Sequence, residues 1–304
     1  MNKVPELPDP RNNNILVNIN GRLYPREDAK VSVFDSSVQG GDAVWEGLRI
    51  YNGKIFMLDA HIRRMINSAK AMAFEIIPSP DEIKKALFDT LKANKMMDEA
   101  HVRLTLTRGQ KTSSGMSPKF NQYGPTLIVL AEWKKPVYDN TGIKLITSSI
   151  RRNPPQCLDS KIHHNNLINN ILAKIEANLA NVDDAVMLDI YGYVSETNAT
   201  NIFLIKDHIL FTPFADSCLP GITRHVVLSL AKENDILFQE KRCSMSEMYS
   251  SDEMFVSGTM GEITPVILID GRTIGTGMKG TITAKIQQMY QQLTEKEGEP
   301  IPFD

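Results

Sequence analysis

The chain has 304 residues, 42% of them apolar and 23% charged, with a formal net charge of −2. That is enough apolar material for one large or two compact domains, and the near-neutral balance argues against nucleic acid or an anionic membrane as partner. Three cysteines without metal-ligand spacing, Cys157, Cys218 and Cys243, point to free thiols in a reducing compartment and to no bound metal.

The N-terminal stretch MNKVPELPDPRNNN is polar and rich in Pro and Asn, so no signal peptide is expected. The longest apolar runs, such as TLIVLA, are too short to cross a bilayer. The expected place is the cytoplasm. ILVNINGRLY reads as a hairpin turned at Asn20-Gly21, and LRIYNGKIFML repeats the device at Asn52-Gly53. A helix is expected from about Asp59, because Ile62, Met65, Ile66, Ala69 and Met72 share one face. Pro80-Asp81-Glu82 opens another helix, with Ile83, Ala86, Leu87 and Leu91 on its apolar side. HVRLTLTRG alternates, placing Val102, Leu104 and Leu106 opposite Arg103, Thr105 and Thr107. PTLIVLAEW reads as a buried strand.

The polar, turn-rich KKPVYDNTG then marks a linker. The expected division is residues 1–132, a linker at 133–141, and a second domain at 142–304. The second half reads as strand GIKLITSS, a helix in LDSKIHHNNLINNILAKIEANL, strand DAVMLDI, hairpin NIFLIKDHILFT, helix GITRHVVLSLAKEN, strand DEMFVSG, hairpin VILIDGRTI and a helix from about Thr281. Hairpins mixed with helices give an α+β fold class with two domains.

Lys161 stands at the head of its helical pattern, where a positive charge meets the positive end of the helix dipole. A covalent role is one reason to accept that cost, since a lysine amine condenses with the aldehyde of pyridoxal phosphate. The ring nitrogen of that cofactor needs a facing carboxylate, and Glu196, in SETNATNIF, is a candidate. Its phosphate needs backbone N–H donors at a helix start, which LPGITR offers at Ile222 and Thr223. The turn SGTMGE adds exposed amides, and an arginine such as Arg64 completes a phosphate site.

Six stretches taken together, GDAVWEGLRIYNGKIFMLDAHIRRMINSA, VRLTLTRG, DSKIHHNNLINNILAK, VSETNATNIFLIKD, LPGITR and GTMGEITPV, resemble the fold-type IV, or class IV, pyridoxal-phosphate aminotransferases, in family order from about residue 15 to 290. The resemblance implies a two-domain architecture with the active site at the domain interface, completed by a partner in a homodimer. It implies Lys161 as the Schiff-base lysine, Glu196 at the pyridine nitrogen, and Arg64, Ile222, Thr223 and the Thr259 hydroxyl at the phosphate. Thr259 and Met260 match the turn that holds the substrate α-carboxylate. Arg49 and Arg103 fall where branched-chain enzymes place arginines, Arg103 receiving the side-chain carboxylate of glutamate. Trp45 and Met260 are candidates for an apolar side-chain pocket, with simple core packing the alternative.

The chain departs from the branched-chain pattern at Asn166 and His101, both usually tyrosine. The loop QKTSSGMSP lacks the arginine and histidine of the D-amino acid enzymes. The implied activity is transamination between a branched-chain L-amino acid and 2-oxoglutarate. A D-amino acid aminotransferase, an aminodeoxychorismate lyase of the same fold, and a non-catalytic paralogue are the alternatives.

Overall fold

The computed structural model describes residues 6–303. They form two compact units, one of residues up to 135 with 163–166 and from 295 onward, the other of 136–162 and 167–294. Residues 163–166 and 295 onward thus return to the first unit after the chain has left it.

In the first unit the chain runs through β1 (Leu16–Ile19), β2 (Arg22–Pro25), a short α1 (Ser36–Gly40), β3 (Ala43–Tyr51), β4 (Lys54–Ile55), α2 (Leu58–Ala71), α3 (Pro80–Asn94), β5 (Ala100–Thr107) and β6 (Thr126–Trp133). Both hairpin turns use paired positive-φ residues, Asn20 and Gly21 in one and Asn52 and Gly53 in the other, the backbone that Asn-Gly adopts at little steric cost. At α3, Ser79 and Glu82 close a capping box and Pro80 fills the first turn, where its missing N–H costs nothing.

The strands β4, β3, β5, β6, β1 and β2 lie side by side in that order. On one face of the β3–β5 pair, Val44, Leu48, Ile50, Val102, Leu104 and Leu106 are buried, as are Ile62 and Met65 of α2. Each such side chain contributes roughly 1.5–3 kcal/mol of burial. Period-two alternation sends Trp45, Arg49, His101 and Arg103 to the opposite face, where Arg49 pairs with His101 and Trp45 with Thr105. The strand β6 alternates between buried and half-buried residues, so the uniformly buried strand expected from PTLIVLAEW is a half-covered one.

The second unit contains β7 (Ile143–Thr147), α4 (Ile168–Leu179), β8 (Asp184–Leu188), β9 (Val194–Thr197), β10 (Asn201–Lys206), β11 (Ile209–Thr212), α5 (Ile222–Glu233), β12 (Phe238–Glu240), α6 (Met245–Tyr249), β13 (Glu253–Gly258), β14 (Glu262–Ile269) and β15 (Arg272–Thr273), followed by α7 (Thr281–Lys296). A last short strand, β16 (Glu299–Pro300), pairs with β4 in the first unit's own sheet. The second sheet is mixed, with parallel pairs β7–β8, β7–β14 and β11–β12 among antiparallel ones. Its core gathers Ile143, Leu145, Val186, Ile202, Leu204, Val256 and Val266. Among the described residues, no helix is long and apolar enough to cross a membrane.

The helix α4 differs from expectation in two respects. It begins at Ile168, so Lys161 lies in a turn well ahead of it, beyond the reach of the helix dipole. It also packs through its small residues, Ala173 and Ala177, against Ala185 and Met187. Its large apolar residues Ile171, Ile175 and Leu179 are exposed.

Candidate active site

In the first unit, β3 has an open edge at its start, because its neighbour β4 covers only Ile50 and Tyr51. Unpaired strand edges capture passing backbone, and here they capture residues 163–165. The Trp45 amide donates to the His163 carbonyl at 2.9 Å, and the Asn165 amide donates to the Ala43 carbonyl at 2.9 Å. The Trp45 indole N–H donates to the His164 carbonyl at 3.2 Å, and the His163 amide donates to the Ser68 hydroxyl of α2 at 3.1 Å. His163 is thereby fixed beside Glu46 and Trp45.

Glu46 is fully buried and receives three side chains. Arg64 of α2 forks onto it, with Nε to Oε1 at 2.8 Å and Nη2 to Oε2 at 2.7 Å. His61, a turn earlier on α2, reaches Oε2 through Nδ1 at 2.6 Å. His163 reaches Oε1 through Nδ1 at 3.2 Å. Burial pushes the Glu46 carboxyl up, but the pull of His163 and Arg64 outweighs it and holds the group well below the usual carboxylate range. Arg64 supplies the permanent charge, since a guanidinium does not deprotonate.

Burial lowers His163 to about 4 despite the pull of Glu46, so its ring is neutral at physiological pH. An ionised carboxylate can only accept. The His163 proton therefore sits on Nδ1, and Nε2 keeps its lone pair.

The opposite face continues the cluster. The Trp45 and His163 rings lie 4.1 Å apart, and the Arg103 guanidinium lies 3.4 Å from the Trp45 ring centre. Arg103 also donates to the Asn165 side-chain carbonyl at 3.1 Å. Its remaining N–H groups have no hydrogen-bond partner among the described residues. Burial lowers Arg103 to about 10, against the pull of Glu46, which leaves it cationic at neutral pH. Burial, then the neighbouring Lys134, Arg49 and Arg103, lower His101 to about 3. Arg49 is buried and donates to the Lys134 carbonyl at 3.3 Å. Asn166 donates to the Gly41 carbonyl at 3.0 Å.

In the second unit Glu196 on β9 is buried and paired with Arg152 at 2.6 Å. It accepts from the Asn201 amide at 3.2 Å and from the Leu219 backbone N–H at 3.3 Å. Asn201 also donates to the Leu219 carbonyl at 2.9 Å, tying the carboxylate to the turn that starts α5. Gly221 caps that helix. A Cβ there would stand 2.0 Å from the Asn201 Oδ1, so only glycine admits the close approach. Ile222 and Thr223 follow with the amides of the first helical turn, which have no partners within the helix. Thr259 and Met260 form the tip between β13 and β14, where the Met260 carbonyl accepts from the Val137 N–H at 3.0 Å. The first strand of that tip pairs with β10, Ser257 lying opposite Asn201. Glu196, Ile222 and Thr223 are thus linked through Asn201, and β13 leads from beside that residue to the Thr259 turn.

Lys161 does not join them. It is exposed, and its amine makes no hydrogen bond among the described residues. It lines a cavity of about 230 Å3 with Asp189, Tyr193, Ser195 and Arg242, and none of Glu196, Ile222, Thr223 or Thr259 lines that cavity. Among the described residues there is no group of three or more His, Cys, Asp or Glu side chains arranged to hold a metal.

Sequence reasoning passed over Glu46, His61, His163, Arg152 and Asn201. Glu46 had a readable signal, a lone acid inside the apolar run AVWEGLRI, since a charge buried in a strand demands a partner. Arg152 and Asn201 had none, because their roles depend on which strands become neighbours.

The model of the Amino-transferase class IV family matches residues 43–269, and the chain belongs to that family. "Branched-chain-amino-acid aminotransferase-like protein 2" of Arabidopsis thaliana is 59% identical over 98% of this chain. The chain spans about half of that relative's length, 54%. The branched-chain-amino-acid aminotransferase of Pseudomonas aeruginosa is 36% identical, with 92% of each chain covered. Among solved structures, the branched-chain amino acid aminotransferase of Escherichia coli superposes with a TM-score of 0.88 at 33% identity, covering 93% of this chain and 96% of that one. A second branched-chain amino acid aminotransferase, complexed with N-(5'-phosphopyridoxyl)-L-glutamate, gives 0.86 at 33% identity, covering 93% and 94%. The α+β architecture of the two units is that of this family.

Proposed function

We propose that this chain binds pyridoxal 5'-phosphate and transaminates a branched-chain L-amino acid against 2-oxoglutarate. The observation that carries the reading is the Glu196–Arg152 pair tied through Asn201 to the open N-terminus of α5. A carboxylate kept beside a guanidinium suits a pyridine nitrogen, and the Ile222 and Thr223 amides with the Thr259 hydroxyl suit a phosphate. Arg64, held as a fork by Glu46, suits a phosphate. When bound, the cofactor supplies an electron sink for the substrate's Cα electrons. Lys161 is the amine for its covalent attachment. That side chain lies in the cavity with Asp189 and Tyr193, so the role requires it to turn toward Glu196.

For the substrate, Arg103 offers N–H groups to a side-chain carboxylate beside the flat apolar wall of Trp45; Arg49 in the same unit and Met260 in the second unit are the further candidates. The resemblance to branched-chain aminotransferases supports a substrate pair of one apolar and one acidic member. The exposed Ile171, Ile175 and Leu179 on α4 support a homodimer, and the three free cysteines support a reducing, cytoplasmic setting.

The test is a half-reaction screen, in which the loaded protein is mixed with single L- and D-amino acids and keto acids and the cofactor absorbance is followed. L-leucine, L-isoleucine or L-valine and 2-oxoglutarate are expected to respond; a response to D-amino acids alone overturns the substrate reading. Arg103→Ala should lower kcat/KM for 2-oxoglutarate roughly ten- to a hundredfold more than for the leucine partner, the worth of one charge-assisted contact. Equal losses would mean that Arg103 does not read the side-chain carboxylate.

A further inference from the structure

Two residues apart in the chain, Lys161 and His163 have opposite surroundings. Lys161 is exposed and shares its cavity with Asp189, Tyr193, Ser195 and Arg242. His163 is held at three atoms. Its carbonyl accepts from the Trp45 amide, its amide donates to the Ser68 hydroxyl, and its Nδ1 meets the Glu46 carboxylate. That carboxylate is also the acceptor of the Arg64 fork. One buried acid therefore holds both the arginine proposed for the phosphate and the segment that carries the proposed lysine.

We infer that His163 is a positioning residue, which through Glu46 ties the backbone next to Lys161 to the arginine of the phosphate site, so that lysine presentation and phosphate binding depend on one contact. This rests on the cofactor reading above.

The chemistry of the contact agrees with it. Each oxygen of Glu46 takes one N–H from Arg64 and faces one imidazole nitrogen, His163 at Oε1 and His61 at Oε2. A neutral imidazole can donate there without setting a second permanent charge beside Arg64 and Arg103. Lysine or arginine at position 163 would add that charge, and Glu46 already pairs with the Arg64 fork. Two residues of extended chain span at most about 7 Å. Holding His163 therefore confines the Lys161 Cα to a small region while leaving its side chain free to turn. Removing the imidazole releases that restraint and leaves Arg64 on a carboxylate with one donor fewer.

The test uses the full chain with pyridoxal phosphate and, separately, with pyridoxamine phosphate, which has no aldehyde and so reports the phosphate contact alone. Equilibrium binding of each form is followed by fluorescence. The pyridoxal phosphate sample is reduced with borohydride at saturation, digested and mapped by mass spectrometry. The parent chain is expected to carry its adduct at Lys161. His163→Ala should weaken pyridoxamine phosphate roughly tenfold, the worth of one hydrogen bond to a charged group, and lower the adduct fraction at Lys161. His163→Asn, whose side-chain amide can donate to Glu46 without a charge, should restore both. Ser68→Ala loosens the segment without touching Glu46, so it should lower the adduct fraction and leave pyridoxamine phosphate within about twofold of the parent; it decides the matter if His163→Ala does not fold. Unchanged binding and adduct fraction in His163→Ala overturn the inference, as do equal losses in His163→Ala and His163→Asn, or an unchanged adduct fraction in Ser68→Ala. A parent chain that binds neither form, or carries no adduct at Lys161, overturns the cofactor reading itself and this inference with it.

Discussion

Each unit buries one glutamate against one arginine, and the two pairs are built differently. Glu46 gathers Arg64, His61 and His163 from a helix and a returning loop onto one strand carboxylate. Glu196 has Arg152 as its cation, with Asn201 and a backbone N–H as further donors. The first is a hub on which separate chain segments depend. The second is an anchored acid whose neighbours hold it in place. A buried charge is tolerated only with such partners, and the number of segments that converge on it sets how much structure falls with it.

The largest effect expected from breaking this comparison is at the hub. Glu46→Ala removes the forked acceptor of the Arg64 guanidinium and should cost about 3–5 kcal/mol, the usual penalty for breaking a buried pair. That corresponds to roughly 6–20 °C in melting temperature, read by differential scanning calorimetry. A loss under about 1 kcal/mol would mean that the hub is no more than a surface pair.

Arg152→Ala comes next. It removes the Arg152 cation from Glu196 but leaves Asn201 and the Leu219 N–H in place, so the loss should be smaller than at Glu46, about 2–4 kcal/mol. Denaturant titration of both variants side by side decides the order. If Arg152→Ala costs more than Glu46→Ala, the distinction between hub and anchor is wrong.

A subtler break is Gly221→Ala. The backbone there is compatible with alanine, φ −63° and ψ 141°, so any loss comes from the new methyl against Asn201. Displacing that side chain should cost about 1–3 kcal/mol and weaken binding of pyridoxal phosphate. Adding Asn201→Ala should cost little more than either change alone, because both act through the same contact.

The smallest and most specific effect is in pH. His163 is lowered to about 4, so the unfolded chain binds a proton before the folded one does. Stability attributable to this group is complete above about 6.5 and declines as pH falls from there toward about 4. His101, lowered to about 3, extends the decline. His163→Asn should flatten the stability profile between those values, while Asn166→Ala should leave its slope unchanged.

Much of the fold was legible in the chain because its causes are local. The Asn-Gly pairs dictate their own turns, Pro80 with Asp81 and Glu82 opens α3, and the period of Ile62, Met65 and Ala69 marks α2. Glu196 and the start of α5 could be singled out for the same reason, since a carboxylate at a strand end and a glycine before a helix carry recognisable chemistry.

The choice of His163 over Lys161 as the residue captured at the edge of β3 lay beyond such reasoning. The two stand two positions apart in KIHHNN, and nothing in their spacing says which one is held. That depends on an open edge more than a hundred residues away in sequence. Sequence alone determined the α+β elements, through turn chemistry, helix-start residues and periodicity, and its motifs carried the resemblance to the class IV family. Only the tertiary structure decided which of those residues share a carboxylate. Strand-edge hydrogen bonding and the desolvation of Glu46 act between segments that have no order along the chain.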